Sequence, residues 1–286
     1  MSQNPSRGYL YVATLSKVFF TSALESIRSL KEYYPEAQCA LFTHQCWVDE
    51  HKDEVNELVD DLFVPTPAFV RTKLWALPRT PYDETAYVDC DTYITHEDIK
   101  HIFDQRPVDK EVIMTYNRAY NAKVVYFTED GAEGPGSRGR ELRHWLPEDM
   151  KLVEEGIGHT FDWHCGLFVY KKTENTQRLW KLWLDTLLKH YYEEGGHRPY
   201  PESMLFWDTF AFWRILRENP DLADIIGEFP GPGTQRWNFV RGYREHELEG
   251  TEPVIHHYSI GSDNIKEGYL HEKDIELEWG NLNCLR

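Results

Sequence analysis

Two aspartates one residue apart, Asp89 and Asp91, stand at the end of 85–88, a short run of β-branched, aromatic and small residues that reads as a buried strand. Carboxylates at i and i+2, where a strand runs out into a turn and its alternation relaxes, can both reach one ion. Hard oxygen ligands of this kind suit Mg²⁺ or Mn²⁺, which take one or two protein carboxylates and leave other positions to water and a substrate's phosphates. That is the chemistry of a metal–diphosphate site. On its own the tripeptide Asp89-Cys90-Asp91 more readily fits a turn or the cap of a following helix, and its setting is what raises the metal reading.

The elements that must position these acids can be read on either side. Upstream, Arg71, Lys73 and an apolar turn from Leu74 to Leu77 form a short basic helix that passes through Pro81-Tyr82-Asp83 into the strand. The chain opens with a strand over 8–15 and a helix over 17–34, where Val18, Phe19, Ala23, Leu24, Ile27, Leu30 and Tyr34 recur at helical spacing, and a second strand covers 38–43. This βαβ opening predicts an α/β fold with a mostly parallel sheet. Ligands in such sheets bind beyond the carboxyl ends of the strands, which puts Ala13, Thr14 and Leu15 in place to meet a nucleotide base. An ordinary strand-to-helix turn accounts for the same three residues. A polar helix over 50–58, a strand over 61–64, a helix over 95–103 with Thr95 as N-cap, and a strand over 111–116 complete the first half.

Between Asn117 and Gly158 the periodicity fails, and a loop that long is a lid or an insertion. Its Arg138, Arg140 and Arg143 could meet an anion, but they read more simply as a solvated face. A strand over 161–170 follows, entered through His164-Cys165-Gly166, and then a helix over 175–192 that reads as scaffold. The run 200–216 sets Glu202 and Asp208 among Phe206, Trp207, Phe210 and Phe212, where a carboxylate must be paired or face a polar cleft. Near the end, His256 and His257 are adjacent on a strand and point to opposite faces, so only one of them can bind an ion; His257 is favoured.

The order of these motifs resembles the nucleotide-sugar glycosyltransferases of the GT-A fold, most of all the glycogenin-like group, family eight. The resemblance runs from Gly8 to about Lys266 and rests on Asp89-Cys90-Asp91, the preceding Arg71 and Lys73, Gly166, Asp208-Thr209, Arg236-Trp237-Asn238-Phe239 and the C-terminal histidine pair. It implies a single Rossmann-like GT-A domain over 1–286, with a nucleotide-binding half at 8–116 and a donor-sugar and acceptor half at 159–286. It also implies Mn²⁺ or Mg²⁺ on Asp89, Asp91 and His257, and a nucleotide donor, expected to be a UDP-sugar, against Ala13, Thr14, Leu15, Arg71, Lys73, Asp89, Cys90, Asp91, His164, Gly166 and Lys266. Asp208, with Glu202 as its competitor, would face the donor sugar, and the product would retain its anomeric configuration. His164 stands where the family commonly has Asn, and Thr209 where it has Gln or Glu.

Composition bounds the alternatives. A chain of 286 residues, 41% hydrophobic and 14% aromatic, buries a sizeable core and folds. A formal charge of −17 weighs against a nucleic-acid or anionic-membrane binder, although a modified base in DNA stays among the hydroxyl acceptors that the resemblance permits. Five scattered cysteines suit free thiols in a reducing compartment, and no apolar run approaches the roughly twenty residues of a membrane span, so a cytoplasmic protein without signal peptide or anchor is expected. Two other functional classes fit: a nucleotidyltransferase, although 13–17 lacks the Gly-rich loop such enzymes use, and a non-catalytic binder of sugar nucleotides.

Overall fold

The computed structural model describes residues 5–14, 16–64, 71–116, 163–193, 208–231, 233–240 and 248–258. The loop expected at 117–158, together with Leu15, Glu202 and Lys266, lies outside them.

The opening βαβ unit forms as its periodicity requires. Strand β1 (Arg7–Val12) leads into helix α1 (Lys17–Tyr33), and β2 (Cys39–Phe42) pairs with β1 in parallel. Ser16 caps α1, its hydroxyl accepting from the Val18 amide at 3.2 Å. Helices α2 (Gln45–Glu50) and α3 (Lys52–Leu58) replace the single helix expected at 50–58; they break at His51, which is both the C-cap of one and the N-cap of the other. Strand β3 (Asp61–Phe63) joins the edge beside β2. Helix α4 (Lys73–Ala76) and the one-turn 3₁₀ segment Leu77–Arg79 then lead into β4 (Glu84–Val88), which pairs with β1 in parallel and is buried along its whole length.

The remaining elements are β5 (Thr92–Ile94), a 3₁₀ helix over Glu97–Gln105, β6 (Val112–Tyr116), β7 (Trp163–Lys171), α5 (Glu174–Glu193), α6 (Asp208–Glu218), α7 (Pro220–Asp224), β8 (Ile226–Glu228), a 3₁₀ helix over Thr234–Asn238, β9 (Phe239–Val240) and β10 (Ile255–His257). The cap of the 3₁₀ helix at 97 is His96, whose Nδ1 accepts from the Asp98 amide at 3.1 Å, and not Thr95. Thr95 still belongs to the strand side of the turn: its amide donates to Val254 O at 2.9 Å and its hydroxyl to Pro253 O at 2.8 Å.

The main sheet has seven strands in the order β3-β2-β1-β4-β7-β6-β8. It is parallel except at β7, which runs antiparallel to both β4 and β6. A three-stranded sheet, β5-β10-β9, stands beyond the end of β4. Alternation along the central strands feeds two apolar layers. Tyr9, Tyr11, Ala86 and Val88 pack on one side with α1 and Ile99, while Leu10, Tyr87, Phe168 and Tyr170 pack on the other with Trp180, Trp183 and Phe212 from α5 and α6. The charged residue of β4 inside this core, Glu84, is held by Arg7 at 2.8 Å and Arg106 at 2.5 Å. Among the described residues no helix is long and apolar enough to cross a membrane.

Trp183 ties the second layer to the first residue of α6. Its ring is fully buried with a centroid 4.5 Å from that of Phe212, and its Nε1–H donates to Asp208 O at 2.9 Å. Trp183→Ala should therefore cost about 3–5 kcal/mol of stability, read as a lowered denaturant midpoint with an unchanged m-value.

Candidate functional site

Where β4 ends, the chain turns sharply. The Asp89 amide still donates to Gly166 O on β7 at 2.8 Å, continuing the sheet by one more bond. The Thr92 hydroxyl donates back to Asp89 O at 2.9 Å and meets the buried Ser26 hydroxyl of α1 at 2.7 Å, so the turn is closed on itself and fastened to a helix. Between the two acids Cys90 turns its thiol into the core, where Sγ contacts Val12 O at 3.2 Å. Strand β5 then pairs antiparallel with β10 in the register His257 opposite Thr92, which brings His257 to the mouth of the turn. His257 Nε2 lies 3.1 Å from Asp91 Oδ1 and 3.9 Å from Asp89 Oδ2. One ligand atom from each of Asp89, Asp91 and His257 falls within 4.8 Å of the others. His256 points to the other face, edge-on to Phe239 and stacked against Tyr258.

A second charged group adjoins the first. Lys73, at the start of α4, is buried; its ammonium pairs with Asp208, donates to Cys165 O at 2.8 Å and stands 3.7 Å from Asp89 Oδ1. Burial pulls the Lys73 ammonium down, yet Asp208 and Asp89 outweigh it, and the net shift is upward: the ammonium stays charged. Burial lifts the Asp89 carboxyl above the ordinary range, opposed by Lys73 and His257. For His257 burial lowers the pKa of the ring, but the charges of Asp91 and Asp89 and the hydrogen bond to Asp91 outweigh it, and the net shift is upward. His164, buried beside His257 and Lys73, is held down at about 3 and stays neutral.

The residues singled out in the sequence are distributed as follows. Asp89, Asp91, His257, Lys73, Asp208, His164 and Gly166 converge. Gly166 is there because nothing larger fits: a Cβ would lie 2.4 Å from His257 Cε1 and 2.8 Å from Asp89 Oδ2. Ala13 and Thr14 leave the carboxyl end of β1, with the Thr14 hydroxyl donating to Thr72 Oγ1 at 3.0 Å, one residue from Lys73. Arg71 is half-buried, and its charge acts on Lys73. Leu15, Glu202 and Lys266 lie outside the described residues.

Two site residues had no assigned role in the sequence reading. Tyr87 donates its hydroxyl to Asp89 Oδ1 at 2.5 Å; its place two residues before Asp89, on the same face of β4, was the available signal. Asn238 is fully buried and contacts both His164 and His257. It comes from a 3₁₀ turn more than seventy residues from His164, and no local pattern joins them.

No protein-family model matches the sequence, and neither does any curated protein. Among solved structures, the chain is similar to the glycosyltransferase GlyE of Streptococcus pneumoniae TIGR4, at 12% identity and a TM-score of 0.51 over 94% of this chain and 63% of that one. It is also similar to galactosyltransferase LgtC in complex with donor and acceptor sugar analogues, at 9% identity and a TM-score of 0.49 over 94% of each chain. The chain thus spans less than two thirds of GlyE. The likeness to GlyE shows a GT-A fold, in agreement with the sheet order and the flanking helices.

The buried pair of Lys73 and Asp208 generates a test of its own. Lys73→Met strands Asp208 without its counter-charge and should cost about 3–5 kcal/mol, whereas the double variant Lys73→Met with Asp208→Asn should recover most of the loss. Denaturant titration of the two single variants and the double variant reads the coupling; additive losses would show that the pair does not interact.

Proposed function

We propose that the protein is a metal-dependent glycosyltransferase, within the glycogenin-like group of GT-A enzymes, that moves a sugar from a nucleotide-sugar donor, a UDP-sugar, to a hydroxyl acceptor with retention of configuration. The observation that carries this reading is the convergence of Asp89, Asp91 and His257, from a strand-end turn and a separate strand, at the carboxyl end of the central strand of a GT-A fold. Two carboxylates and an imidazole suit Mn²⁺ or Mg²⁺, and Gly166 gives His257 and Asp89 the room to approach, since a Cβ there would collide with both. When bound, the cation supplies Lewis-acid stabilisation to a departing nucleoside diphosphate.

The protein's own groups divide the remaining work. Ala13 and Thr14, with Leu15 after them, border the nucleotide at the end of β1, and the first half of the chain, 8–116, carries this part of the site. Arg71 adds positive charge near the phosphates. Lys73 holds Asp208 beside the metal ligands and sets a fixed positive charge between Asp208 and Asp89. From the first turn of α6, Asp208 faces the hydroxyls of the donor sugar and stabilises positive charge growing at the anomeric carbon. The half at 159–286 takes the sugar and the acceptor; Glu202 and Lys266 belong to this half.

Incubation with Mn²⁺ and a panel of UDP-sugars, with released UDP as the readout, tests the reading directly. Release of pyrophosphate from a nucleoside triphosphate and a sugar phosphate would indicate a nucleotidyltransferase instead, and binding without turnover a passive binder. Asp91→Ala should abolish ion-dependent turnover with the fold intact. Asp208→Asn should lower kcat by roughly a hundredfold, the loss expected of one well-placed electrostatic contact; an unchanged kcat in that variant would remove Asp208 from the reaction.

A further inference from the structure

Behind His257 runs a chain of hydrogen bonds that begins at a backbone amide. Gly166 N–H donates to His164 Nδ1 at 3.1 Å. A backbone amide can only donate, so this nitrogen carries a lone pair and the ring proton of His164 lies on Nε2. The side chain of Asn238 meets the same Nδ1 at 2.8 Å. Only its NH₂ group can face a lone pair, which fixes the orientation of the amide; the second hydrogen of that group is directed to Thr115 Oγ1 at 3.3 Å. The carbonyl Oδ1 of Asn238 then lies 3.0 Å from His257 Nδ1 and can only accept, so His257 carries a proton on Nδ1. Its Nε2 is thereby the ring atom turned to the acids, 3.1 Å from Asp91 Oδ1, where a bound cation would take the place of the proton that Nε2 shares with Asp91.

Each link has a cause in the fold. The irregularity in the pairing of β6 with β7 shifts the register between Met114 and Thr115, so that His164 rather than Leu167 lies opposite Thr115. This turns His164 towards Asn238, and Asn238 comes from the 3₁₀ turn that directly precedes β9, the strand paired with β10. Both rings therefore meet one amide that is entirely out of water.

We propose that Asn238 and His164 are positioning residues, through which the Gly166 amide sets His257 in the one tautomer that can ligate a divalent cation. The inference rests on the metal-site reading above. It explains why a histidine replaces the asparagine expected at position 164: an imidazole supplies an acceptor nitrogen at the reach this relay needs. Metal-bound histidines are commonly oriented in this way by a partner on the other ring nitrogen.

The test has two arms. In protein labelled with ¹⁵N-histidine, freed of metal with EDTA and held at alkaline pH so that both rings are neutral, two-bond ¹H–¹⁵N correlation should show His257 as the Nδ1–H form and His164 as the Nε2–H form. An Nε2–H form of His257, or a mixture, would overturn the inference whatever the ion does. In the second arm, Mn²⁺ affinity is measured by electron paramagnetic resonance for the wild type, Asn238→Ala and Asn238→Asp. The alanine variant loses the acceptor and should weaken Mn²⁺ binding by about tenfold or more. The aspartate variant keeps an acceptor for His257 Nδ1, now charged, loses the donor to His164 and Thr115, and should bind clearly better than the alanine variant. Equal losses in the two, or none in either, would reduce Asn238 to a packing role. A wild type that binds no Mn²⁺ yet shows the expected tautomers would sink the metal reading and leave the tautomer assignment supported.

Discussion

The structure depends on the concentration of negative charge at the end of β4. Asp89 and Asp91 are both partly buried, and Asp208 is brought close by α6. Like charges a few ångströms apart at a partly shielded site repel by several kcal/mol at an effective dielectric constant of about 20. The fold answers with groups from separate parts of the chain: the Lys73 ammonium from α4, the His257 ring from β10 and the Tyr87 hydroxyl from β4 itself. The site is thus a meeting point of the main sheet, the small sheet and two helices, and its electrostatic balance helps to set their relative positions.

Lys73 shows how a buried charge is made tolerable. Its ammonium has a carboxylate, a carbonyl and the face of the Tyr87 ring around it, so each direction open to its hydrogens meets negative charge or π density. A lysine so fully engaged acts first on the carboxylates it touches. In the proposed reaction it serves to hold Asp208 and to moderate Asp89.

Close packing turns these charges into a defined geometry. Gly166 lets the side chains of His257, His164 and Asp89 close on its own backbone, and the hydroxyl chain from Asp89 O through Thr92 and Ser26 to Tyr11 ties the acidic turn to α1. The ligand groups sit on strand ends and a closed turn, elements that hold a site more precisely than long loops do. The aromatic layer of Trp180, Trp183 and Phe212 is scaffold, and the link from Trp183 to Asp208 O is how that scaffold reaches the chemistry.

Local order was legible in the sequence because it is a local property. The period of the apolar residues in 17–34 needs only α1 to express it, and the βαβ order, the buried strand before Asp89 and the opposed faces of His256 and His257 follow from backbone geometry alone. The existence of the small sheet was not legible, since it depends on partners far along the chain, and the break at His51 and the cap at His96 were missed because they rest on individual local hydrogen bonds that the apolar period does not express. The same holds within the site. The sequence alone could nominate Asp89, Asp91 and His257 as separate candidates, but only the antiparallel register of β5 with β10 decides that their ligand atoms meet. It could place Lys73 near the strand, but only the position of α6 engages it with Asp208. Asn238 marks the limit most clearly: its role exists only where three segments, near Thr115, His164 and His257, surround one buried amide, and a side chain with both a donor and an acceptor acquires its meaning from what tertiary structure sets on each side of it.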